Sequence, residues 1–180
     1  AQMKDLSSTN HGTIIGAGDT SGKIARARSF DGFDDEIDVP DNASLDLGLT
    51  TDSYSVSCWA SFTSQTVDLY LIHKSRSPNT RQPFSMRSLG GASAKVRFDI
   101  YDGTNNPFVD STSGINDSTW HHIVAVRSVA RDKLFIYVDG VSEASSADTT
   151  TTSATAAPGF RIGRYYPSGG QVFLGSIDEV

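Results

Sequence analysis

Acidic, aromatic and imidazole side chains fall in this chain at spacings that suggest three kinds of chemistry. Asp31, Asp34 and Asp35 crowd one turn, and Asp178 with Glu179 lies near the opposite end. Such carboxylates, with carbonyls from the loop Asp5 to Gly12, are the hard oxygen donors that Ca2+ takes. Aspartates are equally ordinary turn formers, and Asp31 stands beside Gly32 in such a turn. Arg164, Tyr165 and Tyr166 precede Pro167-Ser-Gly-Gly170, and Trp59 shares its side of a strand with Ser55, Ser57 and Ser61. Aromatic faces of this kind stack on sugars or pack beneath loops at the end of a sheet, with Arg97 and Tyr101 as weaker candidates for a sugar-facing surface. His121-His122 beside Trp120 suggests a metal or a general base. Adjacent strand residues point to opposite faces, so the pair cannot hold one ion together, and no Ser, Cys or Asp stands at a spacing that completes a triad. One of these histidines is expected to bond backbone near the sheet end and pack beside Trp120. His11 and His73 are isolated, without a recognisable partner.

A sheet must position these groups. From Trp120 to Val129, Ile123, Ala125 and Arg127 alternate with His122, Val124 and Val126, which is the two-residue period of a strand. Leu134, Ile136 and Val138 alternate with Phe135 and Tyr137 after a hairpin-length polar run, and Asp139-Gly140 supplies the positive-φ pair of a tight turn into a third strand. The centre is therefore a β-meander. Tyr54 to Phe62, Val67 to Lys74, Pro83 to Leu89, Lys95 to Tyr101 and Pro107 to Ser111 continue the series between Ser/Pro/Asn, Gly90-Gly91 and Asp102-Gly103 turn signals. Ile14-Ile15 marks one short strand inside a loop, Phe33 to Val39 reads as an edge-type strand stopped by Pro40, and Asp41 to Leu47 has room for a single helical turn. Asp148 to Ala157 reads as a solvated loop, and Phe160 to Gly163 and Val172 to Asp178 close the chain as strands. Many short strands about ten residues apart, with no 3.6-residue period, indicate an all-β sandwich of two antiparallel sheets.

Composition limits the partners. The 180 residues fit one domain, 1–180, large enough to bury roughly 70 per cent of what the unfolded chain exposes. A net charge of −6 and a pI near 5.0 argue against a nucleic-acid backbone or an anionic membrane, both of which need clustered Lys and Arg. The single cysteine, Cys58, alternates with Val56 and Ala60 and reads as a small buried hydrophobe. No stretch approaches the ~20 apolar residues of a membrane span. Ala1-Gln-Met-Lys-Asp5 lacks the apolar core of a signal peptide, so a secretion signal is expected to be cleaved or encoded outside this sequence.

Ser29-Phe-Asp-Gly32, Asp34-Asp35-x-Ile37-x-Val39, Ser57-Cys-Trp59, Trp120-His-His-Ile-Val-Ala125, Leu134-x-Ile-Tyr-Val-Asp-Gly140, Ile162-Gly163 and Phe173-x-Gly-x-Ile-Asp178-Glu-Val stand in an order that resembles the laminin-G-like modules of the concanavalin-A-like lectin/glucanase superfamily. The likeness runs over nearly the whole chain, including Asp5-Leu-Ser-x-x-Asn10-x-Gly-Thr13. It implies a jelly-roll sandwich, a closing strand that runs on past Val180, and a secreted or surface-associated parent protein, a phage or virion surface included. It also implies a structural calcium held where the first strands meet the last, with Asp178 as the matching aspartate and Asp31 as a second candidate. Glycoside hydrolases of this superfamily place two carboxylates at E-x-D spacing on one strand, and Glu36-Ile-Asp38 has that spacing. Asp41, where a third acid would stand, is one carbon short and follows Pro40. The expectation is a non-catalytic recognition module, part of a larger multidomain protein or assembly, binding carbohydrate through Tyr165, Tyr166, Arg164 and Trp59. A structural or adhesive module contacting a surface protein is the rival.

Overall fold

A computed structural model describes residues 2–5, 9–63, 65–75, 81–92, 94–155, 159–165 and 171–180. Its strands, in chain order, begin with β1 (Gln2–Met3), β2 (Gly12–Ile15), β3 (Gly18–Ser21), β4 (Arg26–Asp31) and β5 (Glu36–Val39). There follow β6 (Tyr54–Ser61), β7 (Leu69–Lys74), β8 (Gln82–Ser88), β9 (Lys95–Tyr101) and β10 (Phe108–Gly114). The last are β11 (His121–Ser128), β12 (Lys133–Val138), β13 (Val141–Ala147), β14 (Phe160–Ile162) and β15 (Leu174–Asp178). Two sheets result, an eight-stranded one ordered β1-β2-β5-β14-β7-β8-β9-β10 and a seven-stranded one ordered β13-β12-β11-β6-β15-β4-β3. The pairings are antiparallel. The expected all-β two-sheet sandwich is what the chain forms.

Alternation explains where the core lies. Cys58 and Ala60 of β6, Ile123 and Ala125 of β11 and Leu134 and Ile136 of β12 point inward, against Ile37, Ile72, Met86, Phe98 and Ile162 from the other sheet. Cys58 is fully buried, and burial pushes its thiol up to about 12, so it is inert as a nucleophile. Asp139 and Gly140 both have positive φ, at 51° and 80°, and close the β12–β13 hairpin as their types require.

Three expectations need correction. β5 is interior, because Ile37 pairs with Ile14 of β2 on one side and Ile162 of β14 on the other. Pro40 ends that strand without exposing either of its edges. Strand β3, Gly-Asp-Thr-Ser, is polar and carries no apolar alternation, so only its pairing to Arg26–Ser29 defines it. The segment after β13 is anchored rather than solvated. Arg127 faces the core and donates from Nε to Asp148 at 2.7 Å, while Asp102 accepts from the amides of Thr151 and Thr152 at 2.7 and 3.2 Å. A buried guanidinium requires a carboxylate, and Asp148 supplies it.

Candidate functional site

The outer face of the eight-stranded sheet carries polar side chains buried as deeply as the core. Register lines them up: Asp38 of β5 stands opposite Arg161, Arg161 opposite His73, His73 opposite Ser85, and Ser85 opposite Asp99. A neighbouring row runs Tyr70, Arg87, Arg97 and Asp110. Glu36, His73, Ser85 and Asp99 are at most 5% exposed. A register shift in β7 between Tyr70 and Ile72 permits this arrangement. Leu71 and Ile72 both point to the core, so Tyr70 and His73, three residues apart, share the outer side.

Tyr165 completes the cluster. Gly163, at φ 83°, turns the chain out of β14, where a Cβ would run into the Phe30 ring. Arg164 then bridges to Val172, and the Tyr165 ring settles against the sheet. Its centroid lies 4.8 Å from both Tyr70 and His73, which are themselves 4.9 Å apart, making a triangle of three rings. Arg87 lies over Tyr70 at 5.6 Å. A hydrogen-bonded chain closes the floor: His73 Nε2 to Gln82 Oε1 at 3.0 Å, Gln82 Nε2 to Asp99 at 2.7 Å, and Arg87 to Asp99 at 2.6 Å. Since the Gln82 amide nitrogen donates to Asp99, its oxygen accepts, which makes His73 the Nε2–H tautomer. Burial lowers the His73 pKa to about 4, so the ring is neutral at pH 7. Burial also pushes the Asp99 carboxyl above its usual range, with Arg87 and Gln82 partly offsetting it.

Glu36 and Asp38 belong to the same face. Arg161 reaches Glu36 at 3.2 Å and Asp38 at 3.5 Å, and Arg164 reaches Glu36 at 3.5 Å. Arg164 also donates to the Asp34 carbonyl at 3.3 Å. Glu36 is thus not on the edge-type strand that the sequence suggested, because β14 pairs beside β5 and brings two guanidiniums over it.

The structure divides the residues singled out in the sequence. Arg164 and Tyr165 join the buried face, Arg97 lies beside it, bidentate to Asp110 at 2.7 and 2.8 Å, and Tyr166 lies outside the described residues. Trp59 is on the seven-stranded sheet. It is half-buried, stacked on His122 at 5.0 Å, with the Lys23 ammonium 4.9 Å above its ring. Asp178, opposite Trp59 in register, accepts from the amides of Lys23 and Ile24 at 2.8 and 3.1 Å and so holds that loop over the indole. Asp31, on β4, stands opposite Leu174 at the other end of β15, and caps its own turn by accepting from Phe33 N at 2.8 Å. The Asp31, Asp34 and Asp35 carboxylates lie within 4.8 Å of one another, a donor set that suits a hard cation. Burial raises the Asp35 carboxyl, and the Asp31 and Asp34 charges add to it, although the Asp31 amide opposes them.

The histidines differ from expectation. His121 lies between Asp139 at 2.7 Å and Asp117 at 3.1 Å, and His122, not His121, has the aromatic neighbour, Trp59 rather than Trp120. The left-handed backbone of Asp139 brings its carboxylate back over β11, a reach that strand alternation does not show. His11 and His73 both have partners, Asp5 N at 3.0 Å and the site residues above. Tyr70, His73, Gln82, Arg87 and Asp99 were missed as site residues. Their signal was present, in charged and aromatic residues that recur on the solvent side of otherwise apolar strands, but it was masked in β7 by the register shift.

Comparison with known proteins places the fold. No curated protein matches the sequence. Among solved structures, the binding domain of Paraclostridial Mosquitocidal Protein 1 is 13% identical with a TM-score of 0.78, covering 97% of this chain and 44% of that one. Domain 4 of AbnA, a GH43 extracellular arabinanase from Geobacillus stearothermophilus, in complex with arabinotriose, is 22% identical with a TM-score of 0.68, covering 93% and 79%. The CBM40 of Ruminococcus gnavus IT-sialidase, bound to alpha2,3 sialyllactose, is 13% identical with a TM-score of 0.62, covering 93% and 86%. At these identities the likeness is one of fold. The profile of the Concanavalin A-like lectin/glucanases superfamily matches residues 30–180, and this laminin-G-like chain belongs to that family.

Proposed function

We propose that this domain is a non-catalytic carbohydrate-binding module whose site is the outer face of the eight-stranded sheet around Tyr70, His73 and Tyr165. The observation that carries the reading is the three-ring cluster set beside deeply buried polar groups, since sugar recognition combines an aromatic surface with a few fixed hydrogen-bonding groups. The solved neighbours named as binding domains and carbohydrate modules support it. A glycosidase reading fits poorly, because the carboxylates at E-x-D spacing are both engaged by Arg161 and Glu36 is 5% exposed, so the pair is not open to a scissile bond. The module acts at an extracellular or surface location as part of a larger protein. No helix of the described residues is long and apolar enough to cross a membrane. A glycan array tests the reading: the wild type retains at least one glycan, and Tyr165→Ala weakens it about tenfold, the loss of roughly 1.4 kcal/mol of stacking and burial. Binding to proteins alone, with no glycan retained, sinks it in favour of an adhesive module.

Calcium is part of the same proposal, with Asp31, Asp34 and Asp35 as its donors and pinning of the β4–β5 turn as its role. Millimolar Ca2+ should raise Tm by a few degrees, as expected for an ion whose Kd is roughly 10⁻⁴ to 10⁻³ M. Asp34→Asn should abolish the shift. An unchanged Tm in the wild type removes calcium from the account.

A further inference from the structure

We infer that the site selects neutral glycans over acidic ones, an inference that rests on the carbohydrate reading above. The outer face displays arginines, which by themselves would suggest capture of a sugar carboxylate or sulfate. Each guanidinium described there is already committed. Arg161 and Arg164 share Glu36, Arg161 also reaches Asp38, Arg87 lies between Asp99 at 2.6 Å and Asp68 at 3.3 Å, and Arg97 is clamped by Asp110. Four guanidiniums therefore face five carboxylates. An anionic sugar would have to displace one of these carboxylates or sit against it, and two of them, Glu36 and Asp99, are at most 5% exposed, where a second negative charge is least screened.

The same groups suit hydroxyls. Asp38 and Asp68 pair with guanidiniums at 3.5 and 3.3 Å yet keep about half of their side chains exposed, so their carboxylate oxygens can still accept from a sugar hydroxyl. A face with paired charges and accessible carboxylate oxygens recognises polar, uncharged ligands, with little dependence on salt.

The test prints each neutral oligosaccharide beside its sialylated or uronic-acid counterpart and titrates the retained pairs in low and high NaCl. The neutral member should bind about tenfold tighter, with its affinity changing less than about twofold with salt. Asp68→Asn and Asp38→Asn, both at half-exposed positions that leave the core untouched, should each narrow the ratio about threefold by releasing part of a guanidinium. Tighter binding of the acidic member, or a ratio that neither variant moves, overturns the inference and leaves the carbohydrate reading standing. Retention of no glycan at all overturns both.

Discussion

His73 shows how one side chain can hold a binding surface and limit its working range. It is 1% exposed, enclosed by Tyr70 and Tyr165, and donates to Gln82, so a proton on its Nδ1 enters a site built around the neutral ring. Its folded pKa of about 4 lies below the usual 6.5, so between these values the unfolded chain binds the extra proton. The stability this neutral ring allows is complete above about pH 6.5 and is lost as pH falls toward 4, by up to roughly 3 kcal/mol. His121 acts in the opposite sense. Burial opposes its charge, but Asp139 and Asp117 outweigh that and raise its pKa, so its contribution is present at low pH and lost as pH rises through the raised value. Denaturant midpoints at pH 7 and 4.5 separate the two: His73→Gln should flatten the acid loss seen in the wild type. Equal losses in both would show that His73 is not responsible. None of this was legible from the sequence, in which His73 has no neighbour of note. Cys58 was legible, because its role depends only on alternation within its own strand.

Among the elements, β11 to β13 could be read in advance and β5, β7 and the segment after β13 could not. The meander declares itself locally, through strands of period two and the Asp139-Gly140 turn. The others depend on partners distant in sequence. β5 looked like an edge until β2 and β14 paired to it, and β7 hid its outer face behind a shifted register. Arg127 offered a signal that alternation alone exposes, since an arginine on the core side of β11 requires a buried acid. Asp148 answers it from 21 residues away, with Leu49 O accepting from Nη1 and Thr150 Oγ1 from Nη2 at 2.7 and 2.6 Å. Asp148 is held below the ordinary carboxylate range, since the Arg127 and Thr150 hydrogen bonds outweigh the burial that would raise it. Arg127→Ala strands that carboxylate and should cost roughly 3–5 kcal/mol in chemical denaturation. A loss below about 1 kcal/mol would mean that water replaces the guanidinium and that the segment after β13 is not anchored through it.

At the scale of the whole molecule, the two sheets separate the aromatic residues that the sequence could only enumerate. Tyr165 is on the outer face of the eight-stranded sheet with Tyr70 and His73, whereas Trp59 is on the outer face of the other sheet, covered by Lys23 and a loop held by Asp178. The sequence made both plausible sugar platforms, because composition and alternation do not say which face a loop will cover. Calorimetric titration of a retained oligosaccharide into Tyr165→Ala and Trp59→Ala, side by side with the unaltered chain, bears on this division most directly. Affinity should drop about tenfold in Tyr165→Ala and stay within about twofold in Trp59→Ala. The reverse pattern, with binding abolished by Trp59→Ala and untouched by Tyr165→Ala, would contradict the assignment of the site to the eight-stranded sheet.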